Sequence, residues 1–203
     1  MRGLGHARFR RQCRGGPSAR GALSGASAAA DDLAVLAIGQ GAYGALRTAA
    51  ALGAARMLLV SPRCRAQDDD VPADLRDEMA CEGLPAPDPD RLRALAPAGL
   101  RGLVLHDPFL APRDRAHAAA LGLAFPGLRV LAMPFGGHPA LRLMAAAGLM
   151  DRVLGALLGD RLQPGVFRAL HREARARSGR YARLVERYRD RRGLPPGPEL
   201  AVL

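Results

Sequence analysis

Short apolar runs alternate with helix-like stretches through the middle of the chain. Leu33 to Ile38 is an apolar run ending in glycines, Ala45 to Leu52 has helical composition, and Met57 to Val60 is a second apolar run. The order reads as strand, turn, helix, strand. Leu103 to Leu105 gives a third strand, Asp114 to Leu123 a helix, and Arg129 to Met133 a fourth strand. A long helix is expected from Pro139 to about Leu158, with proline in its first turn and Gly159 beyond its end. Val166 to Gly193 reads as helical with a break at Ser178-Gly179, and Tyr181, Leu184, Val185 and Tyr188 share one face. The pattern predicts an α/β fold, a parallel sheet of about four strands with flanking helices and additional basic helices at the carboxyl end. Right-handed crossovers then place functional groups at the strands' carboxyl ends, just after residues 38, 60, 105 and 133.

Outside this alternation the chain divides simply. Residues 1–32 show no sustained period and are expected to be a disordered basic extension. Residues 33–160 form the α/β domain. Within it, residues 62–98 are rich in Pro, Asp and Arg, including Asp68-Asp69-Asp70 and Pro85-Ala86-Pro87, and read as an excursion with one or two short helices. Residues 161–203 are a basic helical segment and a short tail.

Charge sharpens this division. The net charge of +11 comes entirely from arginine, since the chain has no lysine. Residues 33–160 carry 13 arginines and 13 acids, whereas residues 1–32 carry six against two and residues 161–203 carry eleven against four. The centre is neutral, so polyanion contact is expected only through residues 166–193, where a solvated basic face is the plainer reading. Cys13, Cys64 and Cys81 are odd in number and lack CxxC spacing, which suggests neither a disulfide framework nor a zinc site. No apolar run reaches the roughly 18 residues of a membrane span. A cytoplasmic location is expected.

The turn Gly39-Gln40-Gly41-Ala42-Tyr43-Gly44 follows a strand and precedes a helix, and so satisfies the dinucleotide fingerprint GxGxxG. In that reading Gly39, Gly41 and Gly44 let backbone approach a pyrophosphate at the helix amino terminus. The acid expected at the end of the second strand is missing, and Arg63 or Arg65 would meet a 2′-phosphate instead, which makes the cofactor NADP.

The same turn also resembles the nucleophile elbow of α/β-hydrolases, in particular bacterial hydrolase-like proteins reading GxSxGGYGAL before an Ala-rich helix and an LxLSP strand. Tyr43-Gly44-Ala45-Leu46 and Leu58-Leu59-Val60-Ser61-Pro62 carry the resemblance, as do Val104-Leu105-His106-Asp107-Pro108 and Pro134-Phe135-Gly136-Gly137-His138-Pro139. It covers about the second half of that fold. It implies Asp107 as the acid and His138 as the base of a triad, in the hydrolase order of nucleophile, acid and histidine. Gly39 stands at the nucleophile position.

Two consequences follow from that resemblance. Without a hydroxyl at residue 39 no acyl-enzyme forms there, a loss of about a million-fold in turnover for a serine hydrolase. The strands preceding the elbow, and their oxyanion loop, have no counterpart, so the domain is either reduced or completed by a partner. The expected function is a catalytically degenerate hydrolase-like domain that binds a small molecule or protein or is vestigial. The alternatives are residual hydrolysis by Asp107 and His138 with water or another nucleophile, and NADP binding. Ser61 is a weak substitute nucleophile, because the sequence does not place it on a strained elbow and Pro62 follows it. Among the other histidines, His6 and His171 are assigned to the basic flanks and His117 to an exposed helix face.

Overall fold

The computed structural model describes residues 33–52, 54, 56–63, 93 and 99–195. Expectations for the amino-terminal extension, the three cysteines, Arg65 and nearly all of the 62–98 excursion lie outside those residues. Ten elements follow in order: β1 (Ala34–Ile38), α1 (Gly41–Leu52), β2 (Arg56–Val60), β3 (Arg101–His106), α2 (Pro112–Ala124), β4 (Leu128–Ala132), α3 (Arg142–Ala146), α4 (Met150–Leu158), α5 (Pro164–Ala176) and α6 (Gly179–Arg191).

The four strands form one parallel sheet in the order β1-β2-β3-β4. Ile38 pairs with Val60, Val60 with Leu105, and Leu105 with Leu131. All the turns that leave the strands therefore emerge at one edge. The side-chain period of two splits the strand residues between two cores. Met57, Leu59 and Val104 pack under α1 and α2 with Leu46, Ala118 and Leu121. Leu58, Val60, Leu103, Leu105 and Leu131 pack under α3, α4 and α5 with Met144, Val153, Phe167 and Leu170. Both faces are covered, which is why β2 and β3 read as nearly unbroken apolar runs.

The single helix expected from Pro139 to Leu158 is two helices. Gly148 takes φ +70, and the amides of Gly148 and Leu149 bond back to the carbonyls of Ala145 and Met144. This pairing is a Schellman cap, which ends α3 and lets α4 start in a new direction. The break expected at Ser178-Gly179 is present, with the Ser178 hydroxyl accepting from the Tyr181 amide at the start of α6. Among the described residues no helix is long and apolar enough to cross a membrane.

Candidate active site

Gly39 leaves β1 with φ +59, a left-handed conformation that costs a side-chain-bearing residue about 1–2 kcal/mol. An added Cβ would meet no atom within 4 Å. The turn is pinned to the neighbouring strand on both sides. The Gly39 amide donates to the Val60 carbonyl at 2.9 Å, and the Gly39 carbonyl accepts from the Arg63 amide at 3.0 Å and the Ala42 amide at 3.2 Å. A sharp strand-to-helix turn at the carboxyl edge, with open space where a side chain would stand, is the geometry a nucleophile elbow needs.

His138 lies beyond β4, on a loop that folds back across the edge. Gly136 and Gly137 make the fold-back feasible, since an added Cβ would stand 2.5 Å from the Ala140 carbonyl oxygen at the first and 2.9 Å from the Arg142 Cβ at the second. The loop is fastened to the end of β2 by the Ala140 amide, which donates to Ser61 Oγ at 3.0 Å. Ser61 has φ +48 and is fully buried. The sequence-based view of Ser61 as unstrained is therefore corrected, yet its burial and its bond to Ala140 make it a clamp for the His138 loop.

The acid that meets His138 is Asp114. His138 Nδ1 stands 2.9 Å from Asp114 Oδ2, and the Asp114 carboxylate has no solvent exposure whereas the imidazole is 45% exposed. Arg63 Nε lies 3.9 Å from Asp114 Oδ1. With Nδ1–H donated to the carboxylate, Nε2 carries the lone pair and is the nitrogen able to act as a base. Asp114 sits in the first turn of α2, where the helix dipole favours a carboxylate.

Asp107, expected to hold His138, does something else. Its Oδ1 accepts from the amides of Phe109 and Leu110 at 2.9 and 3.0 Å, and its Oδ2 accepts from the Gly137 amide at 2.9 Å. An aspartate before a proline captures the amides of its own turn, and here it also ties the β3 turn to the His138 loop. The pairing of Asp107 with His138 is thus corrected to Asp114 with His138. Asp107 stays within the site as the group that fixes the loop one residue before the base.

Gly39, Arg63, Asp114 and His138 form one linked chain: carbonyl to amide, guanidinium to carboxylate, carboxylate to imidazole. The dinucleotide alternative fits this geometry less well. Gly44 is exposed, with nothing within 4 Å of an added Cβ, so it does not serve the close helix-to-strand packing that the third fingerprint glycine provides. Arg63, the described candidate for a 2′-phosphate, faces Asp114.

His117 differs from the exposed position expected for it, and His171, in the basic carboxyl-terminal segment as expected, is buried as well. His117 is 3% exposed and His171 is 5% exposed, so neither lies on an open face. Burial, aided by Arg175, lowers the His171 pKa to about 4 against the opposing influence of the Pro134 backbone. Burial also lowers the pKa of His106, at the end of β3, against the field of Asp114. Behind the His138 loop an aromatic cluster anchors α6. Phe135 stacks on Phe109 at 4.9 Å and meets Tyr188 and Tyr181 edge-on at 5.3 and 5.9 Å. A cavity of about 510 Å³ between α4 and α5, lined by Arg152, Arg161 and Leu170 among others, includes none of the linked residues. Among the described residues no group of His, Cys, Asp or Glu could hold a metal ion. Comparison with protein-family models, curated proteins and solved structures found no match.

Proposed function

We propose that this chain is an α/β-hydrolase-like domain that has lost acyl-enzyme chemistry and retains its carboxyl-edge site for binding a small molecule or a protein. The observation that carries the reading is the Asp114–His138 pair, with the His138 loop clamped to the end of β2, the strand next to the one that runs into the left-handed Gly39 turn. The order of the parts along the chain supports it, since the elbow-like turn, the acid-bearing segment and the histidine loop follow β1, β3 and β4. Loss of the hydroxyl removes the nucleophile without disturbing the turn, because glycine is the residue best suited to φ +59.

A second reading has its own observation. The half-exposed imidazole, oriented through Nδ1, could deprotonate a water at the carboxyl edge and hydrolyse an activated ester without a covalent intermediate. Both readings are tested together by Gly39→Ser and a fluorophosphonate probe. The native protein is expected to resist labelling and to show no acyl-enzyme burst. The variant is expected to label at residue 39, and to stop labelling when His138→Ala is added. A folded Gly39→Ser protein that never labels sinks the hydrolase reading. Steady ester turnover by the native protein, abolished in His138→Ala, favours the water mechanism over a binding role.

A further inference from the structure

At the opposite side of the sheet from β4, β1 is the edge strand among the described residues. Its sequence, Ala34-Val35-Leu36-Ala37-Ile38, has none of the devices that protect a sheet edge: no charge, no proline, no bulge. The other edge, β4, carries the exposed Arg129. The register fixes which β1 groups are unused by the sheet. The Gly39 amide bonds to Val60 O, and groups alternate along a parallel strand, so Val35 and Ala37 face β2. The amides and carbonyls of Ala34, Leu36 and Ile38 point outward.

That outward row is complementary to itself. Antiparallel pairing about a two-fold axis at Leu36 sets Leu36 opposite Leu36 as a hydrogen-bonded pair and Ala34 opposite Ile38, so a small residue meets a large one and no charges oppose. Ile38 is 47% exposed and lies on the same sheet face as Ala34 and Leu36, the face covered by α4. Helix α4 packs on β1 and β2, and its carboxyl end is placed at the start of β2 by the bond from Arg56 Nη1 to the Leu158 carbonyl. Arg56 is the register partner of Ala34. One flank of α4 faces α5 through Arg152 and Glu173. The other presents Leu154 and Leu158, 39% and 68% exposed. In the two-fold arrangement the partner's Ile38 arrives over Ala34, beside those leucines.

We propose that a second copy of this chain docks through β1, giving a continuous eight-stranded sheet in which Ile38 of each copy seats against Ala34 and the Leu154–Leu158 flank of the other. A five-residue edge alone falls short of the roughly 800 Å² that a standard interface takes from each partner, and the α4 flank supplies further apolar area. The interface is isologous, so it closes as a dimer and does not propagate.

Sedimentation of the full chain across a wide concentration range tests this, with amide exchange as a second readout. The expected result is a reversible dimer of twice the 21.4 kDa chain mass, with the Leu36 and Ile38 amides protected in the dimer and exchanging when it dissociates. Leu158→Glu, a change at an exposed position, is expected to weaken dimerisation at least about tenfold while leaving thermal unfolding of the monomer unaltered. Ile38→Pro removes one outward amide and is expected to weaken it likewise. A monomer at every concentration, or a dimer indifferent to both changes, overturns the proposal. So does protection of Leu36 and Ile38 in a monomer, which assigns the edge to another part of the same chain.

Discussion

Acidification provides a test of how the His138 loop is held. His171 lies in α5, almost fully buried, with its ring edge-on to Tyr181 at 6.5 Å and influenced by the backbone of Pro134, at the start of the loop that carries His138. Its folded pKa of about 4 lies below the unfolded value of 6.5. The native state therefore holds the ring neutral while the unfolded chain takes up a proton. Stability from this group is complete above pH 6.5, falls as the pH drops toward 4, and is constant below that. Between pH 7.5 and 4.5 the loss attributable to His171 is about 2–3 kcal/mol, a large part of the roughly 5–15 kcal/mol that holds a domain folded.

The assay is urea unfolding of the native protein and His171→Leu at both pH values. The variant should lose about 2–3 kcal/mol less than the native protein on acidification. His106 titrates in the same direction and is present in both proteins, as are the carboxylates, so the comparison isolates position 171. Equal pH dependence in the two proteins refutes the reasoning, because it means the ring is already charged, or equally solvated, in the folded state.

The roles of the two aspartates separate in the Gly39→Ser background. Asp114→Asn should slow fluorophosphonate labelling by up to about 10⁴-fold by disturbing the imidazole tautomer, whereas Asp107→Asn should act mainly on stability, by about 1–3 kcal/mol, measured by denaturant unfolding. Ser61→Ala should leave the Ala140 amide without its acceptor and cost about 1–3 kcal/mol in the same measurement. It should not abolish labelling, since Ser61 is a clamp.

The strands were legible because period and composition agree. Leu33 to Ile38, Met57 to Val60, Leu103 to Leu105 and Arg129 to Met133 fall within a residue or two of the observed elements. Errors arose where tertiary contacts decide. Gly148 sits between two stretches of helical pattern, and a glycine there reads equally as a tolerated interior residue or a cap. His117 falls on the core side of α2, beside Ala118 and Leu121, although local composition makes that helix look evenly polar.

Choosing between Asp107 and Asp114 required knowing that the His138 loop folds back toward α2. A signal was nonetheless present. Asp107-Pro108 is a turn sequence with amides of its own to satisfy, and Asp114, two residues after Pro112 in the first turn of the next helix, was the remaining acid of that connection.

Backbone strain is distributed unevenly over the candidate site. Gly39, Ser61, Phe135 and Gly137 all have positive φ, and all four lie in the turns that follow β1, β2 and β4. At Ser61 and Phe135 a side chain is kept despite a cost of about 1–2 kcal/mol each. Each has work that glycine could not do: the Ser61 hydroxyl holds the Ala140 amide, and the Phe135 ring stacks between Phe109 and the α6 tyrosines. At Gly39 the side chain is absent, so the turn is relaxed and the space above it is open. Two costly side-chain clamps set around an open turn make a shaped edge, which is what the proposed binding role requires.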